Sequence, residues 1–170
     1  MLQQFNLQNV KSVLTPLPEG YLPQLNKGSV DPEICMSFQQ VIESLLHIML
    51  GTRPDIAFAV TKLLQYAANP LQDHLNRVYY ICRYLLGTAN YALIYDDKSN
   101  GDIIAYADSD WASDPITQKS TTGYLVKLAN GIFSWNSCVQ KSIALSSTET
   151  ECHSLIQADN WSGFEHSLKS

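Results

Sequence analysis

An α+β fold, helices first and strands after, is what this sequence predicts, and three observations carry the expectation. From Phe38 to Gly87 apolar residues recur at steps of three and four, the period of helix faces packed on a core. Beyond Asn90 the pattern turns to short runs of β-branched, aromatic and aliphatic residues between turn formers. Asn130-Gly131 then joins two such runs with the dipeptide favoured in a type I′ hairpin. The 170 residues are 45% hydrophobic and 16% charged. Wholesale disorder is therefore not expected, and one ordinary domain or two small ones can bury a core.

Residues 1 to 37 read as a linker, because Pro16, Pro18, Pro23, Pro32, Gly20 and Gly28 interrupt any regular pattern. Their polar, Pro-punctuated opening resembles a cut through a longer chain. Phe38, Val41, Ile42, Leu45, Leu46 and Met49 form one helix face, ending near Gly51. Thr52 is a candidate N-cap for a second helix, with Pro54 and Asp55 in its first turn. Its buried face is Ile56, Val60, Leu63, Leu64 and Ala67, and Asn69-Pro70 stops it. A third helix runs through Leu75, Val78, Cys82, Leu85 and Leu86 to Gly87. Residues 38–89 thus form a small helical unit.

Residues 90–170 form the strand-rich part. YALIY, DIIAYAD, TGYLVKLA, GIFSW and SIALS are the expected strands of an antiparallel meander. Near Ser146 the pattern becomes helical again, with Ser147 or Thr148 as cap and Glu149 and Glu151 in the first turn.

A formal net charge of −5 argues against a nucleic-acid surface covering the whole protein. Lys62, Arg77, Arg83, Lys119 and Lys141 read as solvated. Cys35, Cys82, Cys138 and Cys152 are too scattered for a zinc site or a disulfide framework and read as free thiols in a reducing compartment. No stretch reaches the roughly 20 apolar residues of a membrane span, so an intracellular protein, cytoplasmic or nuclear, without a membrane partner is expected. His47, His74, His153 and His166 fit no nucleophile arrangement and read as structural or exposed.

The chemistry-bearing residues are acidic. YADSDWASD places Asp108, Asp110 and Asp114 around a strand end, and Asp108 and Asp110 share a face if the strand continues through both. Alone, such residues are more often turn formers. SSTETEC adds Glu149 and Glu151 at a helix start, from which a carboxylate can reach back to the end of the first strand. Phosphodiester cleavage needs such a cluster, because two Mg²⁺ ions roughly 4 Å apart must polarise the attacking water and the leaving oxygen.

The ordered series TRPDIAFAV, RYLLGTANYALIY, YADSDWASD, KSTTGYLVKLANGIFSWNS and KSIALSSTETE resembles the end of copia-type retrotransposon polyproteins across nearly the whole chain. The resemblance implies that residues 38–89 are like the thumb and connection of a reverse transcriptase. It likewise implies that residues 90–170 are a truncated ribonuclease H domain, an incomplete mixed sheet with one helix. By that resemblance Asp108 matches the first metal-binding Asp and Glu151 the metal-binding Glu, with Asp110 a further metal candidate. The cofactor so implied is Mg²⁺ or Mn²⁺, and the partner an RNA/DNA hybrid. Trp111, Ser120, Thr121, Gly123, Tyr124, Ser134 and Trp135 also match and are assigned to packing and hairpin geometry.

The sequence departs from the family in several places. The family's third metal-binding Asp follows a further strand, whereas this sequence stops at Ser170. Asp159 stands eight residues past Glu151, about 12 Å along a helix and too far to share a metal pair. Glu43 stands where a Gly is usual, and Cys152 where an aromatic is expected. Asp96-Asp97 reads as a turn. The expectation is a vestigial site that binds Mg²⁺ weakly or not at all, in a chain not catalytic alone. The alternatives are an enzyme completed by a partner chain or a dimer through an unpaired sheet edge, and a co-opted nucleic-acid or protein binding module.

Overall fold

The computed structural model describes residues 10–96, 103–110 and 120–140. They fall into two compact units, one reaching Ala92 and the other starting at Leu93, and both helix and strand are present, as an α+β fold requires.

The first unit contains α1 (Pro32–Gly51), a 3₁₀ turn (Pro54–Ile56), α2 (Ala57–Leu64) and α3 (Gln72–Gly87). Helix α1 starts at Pro32 rather than Phe38. The Asp31 carboxylate accepts hydrogen bonds from the backbone N–H groups of Glu33 and Ile34, at 3.0 and 3.3 Å. Pro32 occupies the first turn, where no N–H is needed, so it opens the helix instead of breaking it. Thr52 likewise ends α1 rather than capping α2, since its backbone N–H still bonds the Ile48 carbonyl. Helix α2 stops at Leu64, and turns carry the chain to Pro70. Leu64 is consequently exposed and Ala67 half-buried, whereas Ile56, Val60 and Leu63 lie in the core.

That core also takes Phe38, Val41, Ile42 and Leu45 from α1 and Val78, Ile81, Cys82 and Leu85 from α3. By length and composition alone α1 is long and apolar enough to cross a membrane, a test that the core helix of a soluble protein also passes. Its apolar stripe is nevertheless spent on α2 and α3.

Residues 10–31, expected to be linker, are instead strapped along α3. Arg83 Nε donates to the Lys11 carbonyl at 2.7 Å, near the helix C-terminus. There Gly87 lets the chain pass so closely that a Cβ would lie 2.9 Å from the Ser12 Cβ. At the helix N-terminus Tyr21 donates to Asp73 at 2.8 Å, and the Arg77 guanidinium stacks on the Tyr21 ring. Asn26 and Asn69 bond each other at 2.8 Å. Arg77 and Arg83 therefore pin the strap instead of forming a solvated face, while Lys62 rests over the Phe58 ring.

The second unit is an antiparallel sheet of β1 (Ile103–Asp110), β2 (Thr121–Leu128) and β3 (Gly131–Val139), in that order. All described pairings are antiparallel, so the mixed sheet expected from the family resemblance is not seen among the described residues. SIALS and the helix expected near Ser146 lie outside them. YALIY is not a strand; it reaches the sheet at its end, where Asp96 N–H bonds the Ala129 carbonyl and the Tyr95 hydroxyl donates to the Ile132 carbonyl.

The β2–β3 hairpin is present, but its central pair is Ala129 and Asn130, with φ of 51° and 59°. Both angles are positive, as a type I′ turn requires. Gly131 has moved into β3, because its missing side chain makes room for the Tyr95 ring. The register shifts at Phe133, since Val126 pairs with Ser134 and Lys127 with Ile132, and the strand bulges there.

Candidate functional site

Strand β1 extends through both Asp108 and Asp110, so the condition for placing them at alternate strand positions is met. They stand two residues apart, roughly 6.6 Å along the strand. Asp108 pairs with Gly123, which in turn pairs with Ser137 on β3. Because Gly123 has no side chain, the flank of Asp108 stays open to solvent. The Asp108 carboxylate is exposed, and its Oδ1 accepts the Ser109 backbone N–H at 2.9 Å, which holds it against the strand end. An exposed carboxylate with one oxygen so oriented is the hard donor that Mg²⁺ or Mn²⁺ prefers.

Beside it lies a buried polar cluster that the sequence reading missed. Ser120 and Thr122 are fully buried, and Gln140 Nε2 donates to Thr122 Oγ1 at 2.6 Å while its backbone N–H bonds the Ser120 carbonyl at 2.8 Å. These bonds fasten β2 to β3 where the acidic end of β1 pairs, Ser109 opposite Thr122 and Asp110 opposite Thr121. Ser109 Oγ is buried there without a hydrogen-bond partner. Ser120 and Thr121 were assigned to packing from sequence. Nothing in their pattern pointed to Gln140.

Among the described residues no group of three His, Cys, Asp or Glu side chains converges on one point. Glu149, Glu151, Trp111 and Asp114 lie outside the described residues, so the union of Asp108 with Glu151 rests on the sequence pattern. Trp135 is half-buried in β3 opposite Leu125.

The helical unit carries a second polar constellation, whose residues are scattered through the sequence. Arg53 is buried and binds Asp55 through Nε at 2.9 Å and Nη2 at 2.7 Å. Tyr84 donates to the same carboxylate at 2.8 Å, and the guanidinium lies over the Tyr84 and Tyr91 rings. Burial alone would raise the Asp55 pKa. The bonds from Arg53 and Tyr84, with the positive charge of Arg53, outweigh burial and leave it below the usual value. The Arg53 and Tyr84 donors are bonded to Asp55 and Thr88, so the cluster closes structure instead of presenting a reactive group. Within TRPD, an Arg two residues before an Asp was the available signal.

No family model matches the chain, and no solved structure matches it. Curated relatives do. The chain is 38% identical over 157 residues to the Retrovirus-related Pol polyprotein from transposon TNT 1-94 of Nicotiana tabacum, covering 89% of this chain and 12% of that polyprotein. It is 34% identical over 160 residues to the Retrovirus-related Pol polyprotein from transposon RE2 of Arabidopsis thaliana, covering 94% of this chain and 11% of the other. A third relative, Secreted RxLR effector protein 161 of Plasmopara viticola, is 38% identical over 121 residues, 71% of this chain and 85% of the relative. The chain thus spans about an eighth or less of the polyproteins it matches and most of the effector protein. Identity of 34–38% over 89–94% of this chain shows the family, and the chain belongs to the copia-type retrotransposon Pol polyproteins.

Proposed function

We propose that these residues are the polyprotein segment in which the end of a reverse transcriptase passes into a ribonuclease H domain, and that the segment does not cleave nucleic acid by itself. The observation that carries this reading is Asp108, an exposed carboxylate on an extended strand inside the YADSD motif, followed in sequence by the SSTETE motif that holds Glu151. The helical unit corresponds to thumb and connection, and the substrate in the complete enzyme is an RNA/DNA hybrid. Asp108 and Glu151, with Asp110 nearby, supply oxygen ligands for Mg²⁺ or Mn²⁺. When bound, the metal polarises the attacking water and the leaving oxygen. Two or three carboxylates fall short of the shells that two octahedral ions need, so affinity for Mg²⁺ is weak in this segment alone.

The test is incubation of the purified chain with a labelled RNA/DNA hybrid and Mg²⁺ or Mn²⁺. No cleavage is expected. Cleavage abolished by Asp108→Asn would overturn the inactive reading while supporting the ribonuclease assignment. Activity that rises steeply with protein concentration would instead favour completion of the site by a second chain.

A further inference from the structure

Of the four histidines, His74 is held in an environment that a surface role does not explain. It is fully buried at the first turn of α3, on the side where the strap crosses. Its Nδ1 accepts the Leu71 backbone N–H at 3.0 Å, so the ring caps the helix as an acceptor. An imidazole can do this only when neutral, with its proton on Nε2. That Nε2 is itself buried without a hydrogen-bond partner. The Tyr66 ring, from the turn after α2, stacks at 4.3 Å. From the strap, the Gln24 carbonyl lies near enough to favour a proton on the ring but is not aligned to accept a bond from Nε2. Asp73 is the charged group acting on the ring, and its carboxylate is already engaged by Tyr21 and Arg77.

We propose that His74 is a pH-sensitive latch for the N-terminal strap, so that protonation of its ring releases residues 10–31 from the N-terminal end of α3. A proton on Nδ1 sets two N–H donors against each other at the Leu71 cap and places a charge where no water reaches. Asp73 and the Gln24 carbonyl favour that charge, but burial outweighs them and holds the ring neutral. Relief comes when the ring reaches solvent. The strap covers it at Gln24, between the two strap ties at Tyr21 with Asp73 and Asn26 with Asn69. Lifting that stretch hydrates the ring and loosens both ties. The core of α1, α2 and α3 packs through Phe38, Leu45, Leu63 and Val78, and the strap's ties run instead to Asp73, Asn69 and Arg83. Release can therefore be local.

Hydrogen exchange on the full chain between pH 7.5 and pH 5.5, corrected for intrinsic rates, tests the latch. Amide protection near Tyr21 and Gly28 should fall as the pH drops below about 6.5, by up to roughly tenfold per pH unit. Val41 and Val78 should stay protected. His74→Gln keeps a side-chain oxygen for the Leu71 N–H, as a capping-box Gln does, but cannot titrate, so its strap should be insensitive to pH. His47→Gln alters an exposed histidine and should behave as wild type. Strap protection independent of pH in the wild type, or an unchanged response in His74→Gln, overturns the proposal. If His74→Gln does not fold, the wild type still decides. His74 ring and Tyr21 resonances must titrate with one midpoint, and separate midpoints overturn it.

Discussion

Arg53 holds Thr88 by two bonds, from Nη1 to its backbone carbonyl at 3.1 Å and from Nη2 to its hydroxyl at 2.5 Å. Thr88 is the cap of α3, so one guanidinium ties the end of that helix to the 3₁₀ turn that carries Asp55. Arg53→Ala would leave Asp55 and the Thr88 carbonyl without their main partner. It should lower unfolding stability by about 3 kcal/mol, the range for breaking a buried charged pair. Arg53→Lys keeps the charge but loses the planar fork, and should recover less than half of that loss. Urea denaturation at pH 7 of the three proteins measures both differences.

Acid should undo the same cluster. The Asp55 carboxyl titrates below its unfolded value of 3.8, so its stabilising contribution is complete above that pH and is lost as the pH falls through the folded-state value. Asp55→Asn should be less stable than wild type at neutral pH, and the gap should close below pH 3.8. Because Asp55 is partly exposed, salt should narrow it as well. Denaturation midpoints of both proteins from pH 7 to pH 3 give the comparison, and a gap constant over that range would contradict the assignment.

What the sequence made legible was periodic and local. The buried stripes of α1 and α3 were read from spacing, and the strand alternation placed Asp108 and Asp110 two positions apart on one strand. Hidden from it was everything that joins residues far apart along the chain. The strap depends on Arg83 meeting Lys11 and Tyr21 meeting Asp73, 72 and 52 positions away. Nothing in a Pro-rich stretch announces such partners. Pro32 misled because a proline that opens a helix and one that breaks it are the same letter, and Asp31 before it with Glu33 after it were the deciding signs. The hairpin was found, but its turn fell one residue early, since Gly131 is needed for close approach to Tyr95 rather than for positive φ.

The turn itself offers a stabilising change. Ala129 sits at φ 51°, where an L-residue with a Cβ is strained. Ala129→Gly removes that strain, and the gain should reach about 0.5–1 kcal/mol after the added freedom of the unfolded chain is subtracted. The same change at Ala105, in the middle of β1, should cost stability instead, because no positive φ is demanded there. Thermal melts of the two variants should move in opposite directions.

Gly131 supplies the sharpest test of the sheet unit. A Cβ at this position would strike the Tyr95 ring and come within 2.8 Å of the Ile94 carbonyl. The ring cannot simply swing aside, because its hydroxyl is anchored to the Ile132 carbonyl at 2.7 Å. Gly131→Ala must therefore displace the segment that reaches the hairpin at Asp96, and a loss of about 1–3 kcal/mol is expected from such overpacking. Truncating the ring should restore part of it. Tyr95→Ala alone forfeits the ring contact and the hydroxyl bond, yet in the Gly131→Ala background the same truncation also removes most of the clash. The double variant should thus be more stable than the sum of the single losses predicts, with a coupling of about 1 kcal/mol. The Ile94 carbonyl is backbone and remains, so the rescue should stay incomplete. Equal additivity in chemical denaturation would mean that the ring does not rest on Gly131.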